Sequence, residues 1–295
     1  MCRYVCDAGP IRLDLFLSRR IPGVGRRAAR RLCGLLSVFR CGAELSGDAL
    51  RGGALKLMPG DELRFPSGYL PEPVSARVIG GLDLSSLLVF EDDSLLLFDK
   101  PRCMHSVPLS PLSDPTLADY SVTISPGCCW ASYDPRDGGL LHRLDYYTSG
   151  FLIAAKNRDV WESMRRELFS GAIEKGYSAL VDGVVCDGGY VSSPIYPGDS
   201  TSCRTDYRPV ELIKSEVGQG SATLLEIDCA LAKRHQIRRH MAEIGHPLVG
   251  DSRYGSLTSI SDYLQELEDG FFLRADLITF SHPLSSERMS FELKF

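Results

Sequence analysis

Apolar and polar positions change their spacing at a few places along the chain, and those places divide it. From Ile11, the run IRLDLFLSRRIPGVGRRAARRLCGLL puts Leu13, Phe16 and Leu17 at helical intervals, and Ala28, Ala29, Leu32 and Leu35 repeat them after the Pro22-Gly23 break. Intervals of three and four bring side chains onto one face, so two short helices are predicted. Gly42, Gly47, Gly52 and Gly53 then punctuate short apolar runs that read as small strands closing at Pro59-Gly60-Asp61. A small N-terminal α/β module over 11–65 is therefore expected. Residues 66–85, PSGYLPEPVSARVIGGLDLS, carry the prolines, glycines and serines of a linker.

A longer body over 86–295 follows. LLVFEDDSLLLFDK reads as two strands around an Asp92-Asp93 turn, and GFLIAAK as a buried strand. DVWESMRRELF reads as an amphipathic helix with Asp159 as its N-cap. EKGYSALVDGVV and ATLLEIDCAL read as strands, HQIRRHMAEIG as a helix ended by Gly245, and DLITFSHP and RMSFELKF as closing strands. Strands outnumber helices and many neighbours are hairpin-spaced, so the body is expected to be α+β with a mostly antiparallel mixed sheet.

Composition narrows the class. The 295 residues are 44% hydrophobic and 24% charged, as in a globular protein. No apolar stretch approaches the ~20 residues that span a bilayer, and the start lacks a signal-peptide pattern, so no membrane association and a cytoplasmic location are expected. Ten cysteines are spread from Cys2 to Cys229 without a C-x-x-C pair, which fits reduced thiols better than a disulfide frame or zinc site. The net charge of −5 is unevenly distributed: residues 1–64 hold 12 basic against 6 acidic side chains, the remainder 21 against 32. Arg19, Arg20, Arg26, Arg27, Arg30 and Arg31 crowd the outward faces of the two predicted helices and the connection between them. A patch of this kind can dock phosphates whatever the net charge.

The densest chemistry lies in LLHRLDYYTSGFLIAAK, residues 140–156, where Asp145 sits in a polar turn just before an apolar strand. By position alone, such an Asp is more often a local hydrogen-bonding residue. However, HRLDYYTSG resembles the catalytic motif of the RluA class of pseudouridine synthases, whose pattern is His-Arg-Leu-Asp, two variable residues, then Thr-Ser-Gly. IEKGYSALVDG resembles the strand of that class that carries a Lys and a Tyr. AKRHQIRRHMAEIGHPLVGDSRYG resembles its His-Gln-Ile-Arg helix with the Gly-His-Pro, Gly-Asp and Tyr-Gly continuation. Before them, the helix, helix with an Arg run and glycine-punctuated strands ending in GDELRF resemble the S-four-like RNA-binding domain.

The resemblance implies isomerisation of uridine to pseudouridine in structured RNA, with large-subunit ribosomal RNA ahead of transfer RNA as substrate. It makes Asp145 the catalytic carboxylate, Tyr177 the aromatic packed on the target base, and Arg238 the cation beside Asp145. Arg143, His142 and Lys233 become RNA contacts, along with the N-terminal arginines. The reaction changes no oxidation state and needs no energy input, so no cofactor, nucleotide or metal is expected, and a monomer suffices. His235 and His240, five apart on the predicted helix, do not share a ligand face. Two positions depart from the class: Cys103 stands where it typically has glycine, and Leu231-Ala232-Lys233 replaces its Thr-Gly-Arg. Two rival readings remain, a non-catalytic RNA-binding or ribosome-assembly factor and a metal-assisted phosphodiesterase using Asp145 with His142.

Overall fold

The computed structural model describes residues 2–7, 9–20, 29–30, 33–34, 36–45, 50, 53–65, 86–109, 114–196, 203–215, 220–229, 233–256, 258–259, 262–264 and 269–293. The expected linker, Arg26, Arg27, Arg31, Leu231, Ala232 and most of the second predicted helix lie outside these residues. The chain divides into two compact units, one of residues 1–80, 118–140 and 154–161, the other of 81–117, 141–153 and 162–295.

In the first unit, β1 (Cys2–Val5), β3 (Ser37–Arg40), β4 (Ala43–Leu45) and β6 (Glu62–Phe65) form an antiparallel sheet in the order β1-β6-β3-β4. Strands β2 (Ile11–Arg12) and β5 (Lys56–Leu57) pair separately. Pairing of β1 with β6 extends the sheet N-terminally of Ile11, where no strand was expected. Helix α1 (Leu13–Arg20) turns Leu13, Phe16 and Leu17 into a core with Val38, Leu57 and Leu63, as its spacing predicted. Its first turn buries Asp14, which accepts hydrogen bonds from Arg12 at 3.0 Å and Arg30 at 3.1 Å. An uncompensated buried carboxylate would be costly, so Arg30 is committed to the fold as well as exposed to solvent. Arg20 pairs with Asp7, whereas Arg19 is exposed.

The second architecture is a nine-stranded sheet. Its strands are β7 (Leu88–Glu91), β8 (Leu95–Lys100), β9 (Ser149–Ala155), β10 (Glu174–Asp182), β11 (Gly189–Ser193), β12 (Cys203–Lys214), β13 (Ser221–Asp228), β14 (Leu273–Ser281) and β15 (Arg288–Glu292). They run in the order β11-β12-β13-β10-β14-β9-β8-β7, with β15 on β14. The β14–β9 pair is parallel and the other registered pairs are antiparallel, giving the mixed sheet expected. Asp92 makes the first hairpin by accepting the Ser94 and Leu95 amides at 2.7 and 2.8 Å.

Two expectations need correction. The helix after β9, α2 (Arg158–Ser170), is capped by Asn157, whose Oδ1 accepts the Val160 amide at 3.0 Å; Asp159 lies inside the first turn. The twelve-residue β12 was not anticipated, because Pro209 interrupts its pattern; the strand accommodates it at a register shift between Pro209 and Glu211.

Candidate active site

Asp145 lies in the loop between Leu141 and β9, where its carbonyl accepts the Thr148 amide at 3.1 Å. That turn is braced from the segment after β8. Ser106 Oγ accepts the Leu144 amide at 3.0 Å and donates to the Leu144 carbonyl at 2.9 Å, holding the residue before Asp145 from both sides. Arg102 donates to the carbonyls of Tyr147, Phe271 and Asp269. Lys100 is fully buried, and its ammonium donates to the carbonyls of Pro101 and Met104, both at 2.8 Å.

Burial pushes the Lys100 pKa down to about 7, against the nearby Asp145 charge, which acts to raise it. Between that value and the ordinary lysine range, the unfolded chain binds a proton that the fold does not. Stability from this group therefore rises with pH through that window, and below it the burial cost is fully present. Relative to Lys100→Met, the wild type is expected to gain unfolding free energy from pH 7 to 9 in urea titrations. Parallel pH profiles for the two proteins would refute this.

Cys103, at φ 58, occupies the left-handed region in this brace. Glycine is unstrained there and a Cβ is not, which gives a physical reason for glycine at this position. Cys103→Gly is expected to stabilise the protein by about 1 kcal/mol, read from the urea midpoint.

The helix after β13, α3 (Gln236–Glu243), brings up the partners of Asp145. Gln236 anchors its start: the side chain accepts the Lys233 amide at 3.0 Å and donates to the Arg204 carbonyl at 3.0 Å, Thr205 Oγ1 at 3.1 Å and Cys229 Sγ at 3.0 Å. Two residues on, Arg238 donates through Nη1 to Asp145 Oδ2 at 2.8 Å. Its Nε and Nη2 form a fork onto both oxygens of Asp251, at 2.6 and 2.9 Å. The guanidinium also lies 4.3 Å from the Phe271 ring centroid and 5.0 Å from that of Tyr254. Two carboxylates and two aromatic faces thus fix a nearly buried cation in one orientation. Asp251 is 2% exposed at its side chain and Asp145 26%, so Asp145 is the carboxylate open to a ligand.

His235 precedes the helix at φ 61. Its Nε2 is 3.5 Å from Asp145 Oδ1 and its Nδ1 is 2.7 Å from the Tyr254 hydroxyl. Burial lowers its pKa, outweighing the upward pull of Asp145, so the imidazole is neutral at pH 7. His240 instead hydrogen-bonds Thr205 at 2.8 Å. Among the described residues, no three His, Cys, Asp or Glu side chains converge to hold a metal.

Tyr177 lies on the central strand β10, at a bulge against β14 between Gly176 and Ser178. It is 4% exposed, in an apolar cluster with Leu144, Tyr147, Ile237 and Phe271. Burial pushes its phenol well above the usual range, so a neutral aromatic surface is what it offers, and the phenolate is disfavoured. The structure brings Arg238 onto Asp145 directly and places Tyr177 in the cluster beneath the Asp145 loop. Arg143 is exposed beside Asp145 in sequence. His142 is half-buried, with its pKa lowered by burial and by Lys175 and Arg165, and its Nε2 has no hydrogen-bond partner among the described residues. Sequence reading passed over Asp251, Gln236, Ser106 and Lys100, although Gln236 and Asp251 lie inside the strings it singled out.

A family model described as RNA pseudouridylate synthase matches residues 94–243, about half of the chain. The chain is 29% identical over 261 residues to the uncharacterized RNA pseudouridine synthase YlyB of Bacillus subtilis, covering 84% of this chain and 80% of that protein. It is 28% identical to ribosomal large subunit pseudouridine synthase D of Neisseria meningitidis serogroup B, over 95% of this chain and 75% of the relative. It is also 28% identical to ribosomal large subunit pseudouridine synthase C of Yersinia pestis, over 97% and 89%. The solved structure of human RNA pseudouridylate synthase domain containing 1 shares the fold, with a TM-score of 0.52 and 20% identity over 74% of this chain and 86% of that one. The matched span contains Asp145, Tyr177 and Arg238, and this chain belongs to the RNA pseudouridylate synthase family.

Proposed function

We propose that the protein isomerises specific uridines to pseudouridine in large-subunit ribosomal RNA, with Asp145 as the reacting carboxylate and without a cofactor. The observation that carries this reading is the pairing of a partly exposed Asp145 with a cation that the buried Arg238–Asp251 fork prevents from turning away. The reaction breaks the bond from the ribose anomeric carbon to base nitrogen-1 and rejoins that carbon to base carbon-5. The carbon-5 proton leaves and nitrogen-1 gains one, so atoms and electrons balance. An ionised carboxylate serves either by attacking the anomeric carbon or by removing the ribose 2′ proton.

Arg238 orients the carboxylate, and Tyr177 supplies the flat face against which the detached uracil turns. A stacked uridine cannot reach such a pocket, so the base is flipped out at a cost of a few kcal/mol. Arg143, beside Asp145, holds the RNA backbone, and the 11–65 module, with Arg19 and its neighbours, docks a second part of the RNA. The names of the large-subunit synthase relatives support ribosomal RNA ahead of transfer RNA.

The test is tritium release from carbon-5-labelled uridine in bulk RNA lacking the modification. Release by wild type from the ribosomal fraction, and none by Asp145→Ala, is the expected result. No release from ribosomal or transfer RNA by a folded protein that binds RNA would overturn the enzyme reading in favour of an RNA-binding factor. Release from transfer RNA alone would overturn the substrate.

A further inference from the structure

Beyond the Asp145 site, the start of α3 carries basic side chains that the proposed reaction does not use. Arg239 donates to the Tyr254 hydroxyl at 3.2 Å and to the Ile195 carbonyl, and its guanidinium lies 5.1 Å from the Tyr196 ring centroid and 5.6 Å from that of Tyr254. The Arg253 guanidinium lies 5.8 Å from the Tyr254 ring centroid. Arg234 donates to His235 Nε2 at 3.3 Å, and its carbonyl accepts the Tyr196 hydroxyl at 3.5 Å. These interactions form one connected path, from Asp145 through His235 and Arg238 to Tyr254, and on through Arg239 to Tyr196. Arg234 and Arg253 are exposed, and Tyr196 is 39% exposed.

None of Arg234, Arg239 and Arg253 pairs with a carboxylate among the described residues. Several other surface arginines are neutralised locally instead: Arg204 by Asp206, Arg208 by Glu226, Arg288 by Glu174. Arg204 makes the informative contrast. It stacks on Tyr190 at 4.2 Å, but it alternates along β12 with Thr205, whose hydroxyl bonds Gln236 and His240 of α3. Successive strand residues point to opposite faces, so the Arg204–Tyr190 pair faces away from α3 and its carboxylate is in place.

We propose that Arg234, Arg239, Arg253 and Tyr196 form a track for an unpaired RNA segment adjoining the target uridine. This rests on the uridine-isomerase reading and adds how the flanking nucleotides are held. Three guanidiniums without counter-charges among the described residues suit successive phosphates, and an exposed tyrosine ring beside a guanidinium suits base stacking. Paired RNA hides its base faces, so the Tyr196 ring selects a single strand, which is also the form a flipped nucleotide needs on its flanks.

The test measures binding of the full chain to a labelled uridine dodecamer and to a blunt RNA duplex of equal length across a salt series. The Arg234→Gln/Arg253→Gln double variant is expected to lower the salt slope for the single strand by about 1.4, roughly 0.7 for each phosphate that is no longer neutralised. Tyr196→Leu is expected to weaken single-strand binding roughly tenfold and duplex binding far less. Arg204→Gln, on the opposite face, serves as the charge control. Unchanged affinity and slope in the double variant would overturn the proposal, as would equal losses in Arg204→Gln. Equal weakening of duplex and single strand would overturn its single-strand character. Tritium release by the same preparations separates the two readings. Release with unaltered binding in the variants removes the track alone, whereas track-dependent binding without release removes the isomerase reading alone.

Discussion

Asp145→Asn is expected to lower the single-turnover rate of pseudouridine formation by at least about 10⁴-fold while RNA affinity holds or improves. The amide is isosteric and can still accept the Arg238 hydrogen bond now made at 2.8 Å, so the loop and the cation should stay in place. It cannot act as the nucleophile or base at the sugar, and removing a group that acts within a reacting unit costs about 10⁴ to 10⁶ in rate. Affinity should not fall, because a carboxylate near RNA phosphates repels them. Quenched-flow or tritium measurements at saturating enzyme give the rate, and anisotropy gives the affinity. A rate within tenfold of wild type would remove Asp145 from the chemistry.

Asp251→Ala should have the largest effect on stability. It strips Arg238 of two charge-assisted hydrogen bonds and leaves a guanidinium with 9% side-chain exposure and one remaining carboxylate. Breaking a buried pair from one side costs about 3–5 kcal/mol, which urea unfolding would show directly. Activity should fall as well, since Arg238 loses the fork that aims it at Asp145. Replacing both partners, as in Arg238→Met/Asp251→Leu, is expected to recover most of the lost stability without recovering turnover. That result would separate the fork's structural cost from its positioning role. A loss below about 1 kcal/mol in Asp251→Ala would mean that solvent reaches the fork and that the cation is not held as described.

Much of this protein can be read locally. The hairpin at Asp92 follows from a short side chain that caps its own turn, and α1 and α2 follow from apolar residues at intervals of three and four. The three motif strings located Asp145, Tyr177 and Arg238 without any geometry. The N-cap of α2 was misplaced by two residues, because Asn157 and Asp159 are both good caps and only backbone geometry chooses between them. β12 was missed because its Pro209 bulge breaks the alternation that strand reading depends on.

Sequence by itself determined the periods of the elements and the turns, and it singled out the candidate site residues, because each depends on neighbours within a few positions. The tertiary structure alone decided which charges meet. Arg238 reaches Asp145 across 93 positions and Ser106 clamps Leu144 across 38, and such pairings are set by sheet order and helix placement. Burial likewise decided that Asp251 locks Arg238 while Asp145 stays open, that Lys100 sits fully enclosed, and that Arg30 balances Asp14. A side chain's charge is written in its residue type, but its cost and its use depend on what excludes water around it.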